Sequence, residues 1–175
     1  MTYLRKYIGG NKGNAMGLTM IMVPSVLILT GLVVDGGMIF VKKAQLQSIA
    51  DSAVNAGISV SGDEIVDIVE AMAAQDPEFE APENIVDALS NDDRAVLAAS
   101  TGPSQMAENY IDLNNYDNLA LSPQDITFPY NYTVGDDTLS MKIELGTTHE
   151  LYFGSMMGIE TQFISAESMS SINID

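Results

Sequence analysis

Ala15-Met-Gly-Leu-Thr-Met-Ile-Met-Val-Pro-Ser-Val-Leu-Ile-Leu-Thr-Gly-Leu-Val-Val34 is the stretch from which the rest of the chain is read. It carries no charge, and no other stretch of the sequence matches its length and apolarity. At about 1.5 Å rise per residue such a run extends ~30 Å as a helix, the hydrocarbon thickness of a bilayer. The sequence therefore predicts one N-terminal membrane helix with everything after it on one side. Pro24 and Gly31 are tolerated in such a helix and are candidate bend points.

Charge sorts around this run. The chain has 7 Lys+Arg against 24 Asp+Glu, a formal net charge of −17. Arg5, Lys6, Lys12, Lys42 and Lys43 lie in the first 43 residues, where Asp35 is the only acid. From Ala44 onward only Arg94 and Lys142 oppose the acids. An acidic body of this kind repels nucleic acid and anionic headgroups, so nucleic acid is excluded as a partner. The basic flank ahead of the run favours a cytoplasmic N-terminus. The run is longer than a secretory signal core and no small-x-small cleavage site follows it, so a signal anchor is the better reading. The chain contains no cysteine. Disulfides, zinc-thiolate sites and cysteine nucleophiles are therefore ruled out.

Beyond the run, Ile39, Leu46, Ile49, Ala53, Ala56 and Val60 follow one another at spacings of 7, 3, 4, 3 and 4. This is one apolar stripe on a helix that continues past the membrane as a stalk. Ser61-Gly-Asp-Glu64 reads as a capping box opening a new helix with Ile65, Ile68, Val69 and Met72 on its apolar side. Asp76 to Glu80 breaks that helix. A short helix is expected after Pro82, and another capped at Ser90 to Asp93 and running to Ala99. Thr101-Gly-Pro103 reads as a break before a helix over 104–114, with Met106, Ala107, Tyr110 and Leu113 on one side.

The period then changes to two. Ile126, Phe128, Tyr130, Tyr132 and Val134 alternate with polar residues or proline, and Leu139, Met141, Ile143 and Leu145 do so after a turn at Gly135-Asp-Asp137. This predicts a hairpin with one buried face. Leu151 to Met157 reads as a helical or irregular apolar link, and Thr161 to Ile174 as a last strand with Ile164, Ala166, Ile172 and Ile174 on one side. The expected fold class is α+β. It combines a long N-terminal transmembrane and stalk helix, short helices, and a small, mainly antiparallel three-stranded sheet. The expected division is a basic cytoplasmic leader over 1–12, the helix over 13–60 and an acidic extracytoplasmic domain over 61–175.

At this point the residues resemble a family. Gly31-Leu-Val-Val-Asp-Gly-Gly37, Lys43-Ala-Gln-Leu-Gln-Ser-Ile-Ala-Asp51 and Ala53 to Gly57 are similar to the N-terminal signature of TadE/TadG-type proteins of the tight-adherence, or Flp, pilus system. Tyr152-Phe-Gly-Ser-Met-Met-Gly-Ile159 and the strand after it resemble that family's C-terminal end, and the helix over 105–114 fits as well. The resemblance spans 15–60 and 104–172 and leaves 61–100 unmatched. It implies a pilin-like, inner-membrane protein with an extracytoplasmic C-terminal domain, located in a surface filament if it polymerises. Expected partners are the membrane, other copies or other pilins through the N-terminal helix, and the pilus-assembly machinery. A membrane-anchored accessory or adhesion module that never polymerises is the alternative. Gly13 is the candidate leader cleavage point. Many pilins carry a glutamate five residues past that point, where this chain has Leu18. The chain resembles the short members of the family.

Candidate interface residues are Gly31, Asp35, Gly36, Gly37, Lys42, Lys43 and Asp51. Asp35 closes an uncharged run, and a carboxylate there must reach the interface or find a cation. One reading pairs it with Lys42, Lys43 or the mature N-terminus of a neighbouring subunit. The other places it among lipid headgroups, marking the end of the span. Asp51 recurs in the family signature, but a solvated or locally hydrogen-bonded helix position is the better reading of it than a site. Asp76, Glu78, Glu80, Asp92 and Asp93 offer oxygen ligands but lack EF-hand spacing, so no metal or other cofactor is assigned. Asn131-Tyr-Thr133 matches a glycosylation acceptor within an expected strand, where a chance match suffices. His149 has no nucleophile in a recognisable frame, and no P-loop, dinucleotide fingerprint or zinc motif is present. The chain is therefore read as a non-enzyme.

Overall fold

A computed structural model of the chain describes residues 11–76, 78, 89–133 and 136–173, and side chains from residue 16 onward. The order is helix α1 (Asn11–Gln75), helix α2 (Asn91–Ala98), helix α3 (Gly102–Asn114), then strands β1 (Leu121–Thr127), β2 (Thr138–Glu150) and β3 (Thr161–Asn173). The strands form one antiparallel sheet in the order β1-β2-β3. The fold is α+β, as the sequence predicts. The chain divides into two compact units, one of residues 1–41 with 149–162, the other of 42–148 with 163–175.

The second unit is built on the later part of α1. Leu46, Ile49, Ala50, Ala53, Val54 and Ile58 are buried there. The stripe does not stop at residue 60. Ser61 is fully buried, and Ile65 and Val69 extend the face at four-residue intervals. The capping box expected at Ser61–Glu64 is therefore not a helix start, because α1 runs through it to Gln75. An apolar face in register across Ser61 outweighs the local cap signal, and the Ser61 hydroxyl is left without a partner among the described residues. The break at Asp76 is observed: its carboxylate accepts the Glu78 N–H at 3.0 Å, closing an Asx turn after the last helical residue. The helix expected after Pro82 lies outside the described residues.

A true capping box stands at Ser90, whose hydroxyl accepts the Asp93 N–H while the Asp93 carboxylate accepts the Ser90 N–H. It starts α2, whose Leu97 joins Ile65, Val69, Leu89 and Leu139 in one core cluster. In α3 the proline is accommodated in the first turn, where a missing N–H is harmless. Its inner face is Pro103, Ala107 and Ile111, a four-residue series. Of the expected set only Ala107 is buried, while Leu113 is 66% exposed. The helix is rotated by one position, so that Ile111 faces inward in place of Tyr110.

β2 matches its pattern closely. Leu139, Met141, Ile143 and Leu145 are fully buried and alternate with half-exposed neighbours. β1 pairs with it antiparallel through Ile126–Ile143 and Thr127–Lys142, with an irregular register between Leu121 and Gln124. Pro123 sits in that irregularity on an edge strand, where it removes no ladder bond that the sheet needs. The strand ends at Thr127, before Pro129, so Phe128, Tyr130 and Tyr132 are half-buried outside it. Tyr130 still donates its N–H to the Ser140 carbonyl at 2.8 Å. Val134 and Gly135 lie outside the described residues, as does Ile174. In β3, Ile164 and Ala166 are buried and Ile172 is half-buried on the expected side. Lys142 bonds Glu167 at 3.3 Å, which holds its amine above the ordinary lysine range.

Ile143 tests this face. Ile143→Asp would bury an unpaired carboxylate between β1 and the core and is expected to destabilise the fold by about 4 kcal/mol or more. Thermal unfolding of the detergent-solubilised chain reads this as a lowered midpoint. An unchanged midpoint would contradict the inward placement.

Candidate functional site

The first unit has the opposite character from a soluble core. From Met16 to Val34 the large side chains of α1 are apolar and open, with Ile21 72% and Val33 74% exposed. By length and composition this helix can cross a membrane. Apolar area left in water costs roughly 25 cal/mol per Å², so a surface this long requires a cover.

Two positions at the end of this run are closed. Gly31 and Asp35 are buried, one turn apart on the same side of α1. What covers them is the link between β2 and β3. Asp35 is 4% exposed, and its carboxylate receives three consecutive backbone amides. Tyr152 N–H donates to Oδ1 at 3.1 Å, and Phe153 and Gly154 N–H donate to Oδ2 at 3.0 and 2.7 Å. These donors open the 3₁₀ turn Gly154–Met157, whose first amides have no partner within the turn. A carboxylate facing free N–H groups at such an end is electrostatically favoured. The Phe153 side chain then lies against Gly31, where a Cβ would come within 2.5 Å of the ring Cγ. Any larger residue at 31 would displace it.

The link closes on itself. Leu151 N–H donates to the Glu160 carbonyl at 2.9 Å, and Ile159 N–H to the Gly154 carbonyl at 2.9 Å. Gly158 ends the turn in the left-handed region at φ 82°, a conformation side chains disfavour. The expectation of a helical or irregular apolar link at 151–157 is met. A groove of about 410 Å³ lies between Leu27, Ile28 and Leu32 of α1 and Phe153, Met156 and Met157 of the link.

The other expected interface residues are placed differently. Gly36 and Gly37 face open space, and a Cβ added at either would meet nothing within 4 Å. Lys42 forms an ion pair with Asp117 at 3.7 Å, and Gln45 bonds the same carboxylate at 2.9 Å. Lys43 is exposed. Asp51 accepts a hydrogen bond from Gln47 one turn earlier at 2.8 Å, a contact local to the helix. Gly13 lies within α1. The structure therefore brings together Gly31 and Asp35 only. It gives Asp35 backbone donors of its own chain where the sequence suggested a cation or headgroups. Sequence reading missed Tyr152, Phe153 and Gly154 as those donors. The one available signal was a lone carboxylate at the end of an apolar run, together with an apolar Gly-containing link long enough to return to it.

Among the described residues no three acidic or histidine side chains gather as a metal site. Glu80 of the acidic cluster lies outside them. His149 is half-buried, and its Nε2 has no hydrogen-bond partner among the described residues. Asn131 sits beyond the end of β1 at φ 52°, not within a strand.

Residues 13–75 match a family model, Tad, described as putative Flp pilus-assembly TadE/G-like. The match ends on the last residue of α1. It takes in the resemblance read at 15–60 and carries it past Ser61, while the similarity read at 104–172 lies outside it. No curated protein and no solved structure matches the chain.

Proposed function

We propose, on the premise that α1 is similar to TadE/G-like pilus-assembly proteins, that this chain is a pilin-like subunit of a Flp-type pilus, anchored in the inner membrane by α1. Its basic leader over 1–12 stays in the cytoplasm, and the acidic part beyond the span lies outside. The observation that carries this reading is the open apolar face of α1 from Met16 to Val34. Lipid covers such a face before assembly, and neighbouring helices can cover it afterwards. Helices in lipid gain little from hydrophobic force against one another and associate through close packing. Gly36 and Gly37, with open space beside them, supply a surface for such packing next to exposed Val33 and Phe40.

One observation favours the second reading, an anchored accessory module that does not polymerise. Asp35, the polar group best placed to bind a neighbour, is already engaged by three backbone amides of its own chain. Shearing surface filaments from cells and analysing them by mass spectrometry separates the two. The subunit reading expects the chain in the sheared fraction, with a mature N-terminus just after Gly13 if a leader is removed. Recovery only from the membrane fraction, with filaments present, would favour the accessory module.

A further inference from the structure

We propose that the link 151–159 is a second membrane-contacting element, whose partner is the lipid hydrocarbon around the C-terminal end of the span. This rests on the reading of α1 as a membrane helix.

Position is the first argument. Phe153 packs on Gly31, and Met156 and Met157 share a groove with Leu27, Ile28 and Leu32. Leu27 and Ile28 lie about 10 Å along the helix from Asp35, inside the uncharged run. Side chains that line one groove with these positions share their depth. If the run lies in hydrocarbon, so does the tip of the link.

Composition is the second argument. No residue from Leu151 to Ile159 is charged, and the chain turns polar at both feet, Glu150 and Glu160. Tyr152, Met156, Met157 and Ile159 are 66, 82, 59 and 53% exposed. These large apolar groups point away from the protein at the place where lipid would be. Tyr152, amphipathic and close to Asp35, suits the interface. The charged feet limit how far the link can enter.

Backbone chemistry is the third and strongest argument. Irregular backbone is tolerated at membrane depth only where its polar groups are satisfied within the protein. Here the amides of Leu151, Met156, Gly158 and Ile159 bond carbonyls of the same link or its foot. The amides of Tyr152, Phe153 and Gly154 bond Asp35. The Ser155 hydroxyl donates to the Tyr152 carbonyl at 2.9 Å. Asp35 is thus the group that satisfies three consecutive amides of the link, which gives a reason for a carboxylate at the end of an apolar run.

The chain has no native cysteine, so single cysteines label uniquely. The full-length protein carrying Met156→Cys, Leu27→Cys or Asp112→Cys is labelled with an environment-sensitive fluorophore. It is then reconstituted in phosphatidylcholine–phosphatidylglycerol vesicles containing doxyl-labelled lipid. The expected result is blue-shifted emission with several-fold quenching at 156 and 27, and water-like, unquenched emission at 112. Water-like emission at 156 with quenching at 27 overturns the proposal and leaves the span intact. Water-like emission at both 156 and 27 overturns the span reading and the proposal with it. Blue-shifted emission at 156 that doxyl lipid does not quench, together with disulfide-linked dimers of Met156→Cys, assigns the groove to a second copy and also overturns it. A fluorophore could itself displace the link, so a small nitroxide on Met157→Cys provides an independent reading. Greater relaxation by oxygen than by a water-soluble nickel complex supports lipid contact, and the reverse order refutes it.

Discussion

Asp35→Ala is expected to release the backbone of residues 152–154 while leaving the second unit folded. Hydrogen bonds to a charged group contribute roughly 1.5–3 kcal/mol each, and three on one carboxylate are not additive. Removing the acceptor also strands three donors, the Gly154 amide in a buried place and the other two partly buried. A local loss on the order of 3–4 kcal/mol follows. Amide hydrogen exchange in the detergent-solubilised chain would show this as a few hundredfold faster exchange at 152–154, since each 1.4 kcal/mol is about tenfold. Amides around Leu46 to Ile58 should keep their protection. Asp35→Asn should fall between, because one carbonyl oxygen still accepts while the amide group meets donors with donors. Gly31→Ala acts on the same contact from the other side. Its Cβ would sit 2.5–2.6 Å from Phe153 atoms, and the ring must move. Overpacking of this kind costs about 1–3 kcal/mol. Unchanged protection at 152–154 in Asp35→Ala would mean that the carboxylate is not what holds the link.

The Asp35 contact also shows where sequence reading stops. Its isolation was legible, because one carboxylate at the end of an uncharged run stands out. Its partners were not. They are backbone amides some 117 to 119 positions away, and an amide carries no side-chain signature. Only the fold brings them together. The same limit explains α3, where Pro103, Ala107 and Ile111 and the expected Met106, Tyr110 and Leu113 are both plausible helical faces. Ala107 fits either, and the neighbours in space decide between them.

Patterns carried within one element are legible without the rest of the fold. Leu139 to Leu145 alternate strictly, and a two-residue period specifies a face whatever lies opposite. Ser90 and Asp93 satisfy one another locally, so their cap needs no tertiary support. Ser61 and Glu64 have the same spacing and do not start a helix. The difference lies in where they sit. Ser61 is itself buried on the apolar stripe that arrives in register from Leu46 and continues to Val69, whereas Ser90 is exposed. Glu64 is drawn elsewhere and accepts the Ser100 hydroxyl at 2.6 Å. A cap signal inside an unbroken apolar face should therefore be discounted.

That continuity has a larger consequence for where the second unit begins. A fragment of residues 42–175 is expected to unfold cooperatively, whereas a fragment of 61–175 is expected not to fold. Leu46, Ile49, Val54 and Ile58 are all buried between α1 and the rest of that unit. Burying a large aliphatic side chain contributes about 1.5–3 kcal/mol, so these four together contribute on the order of 6–12 kcal/mol. That is comparable with the whole stability of a domain, about 5–15 kcal/mol. Removing them would also uncover Met141 of β2, which packs beside Gly57. Circular dichroism during heating, at low protein concentration with mild detergent to shield Met156 and Met157, provides the measurement. A sigmoidal transition for 42–175 and a featureless slope for 61–175 is the expected pair. A cooperative transition of similar midpoint in 61–175 would show that the later part of α1 is a stalk alone, and that the buried stripe contributes nothing the remaining chain cannot replace.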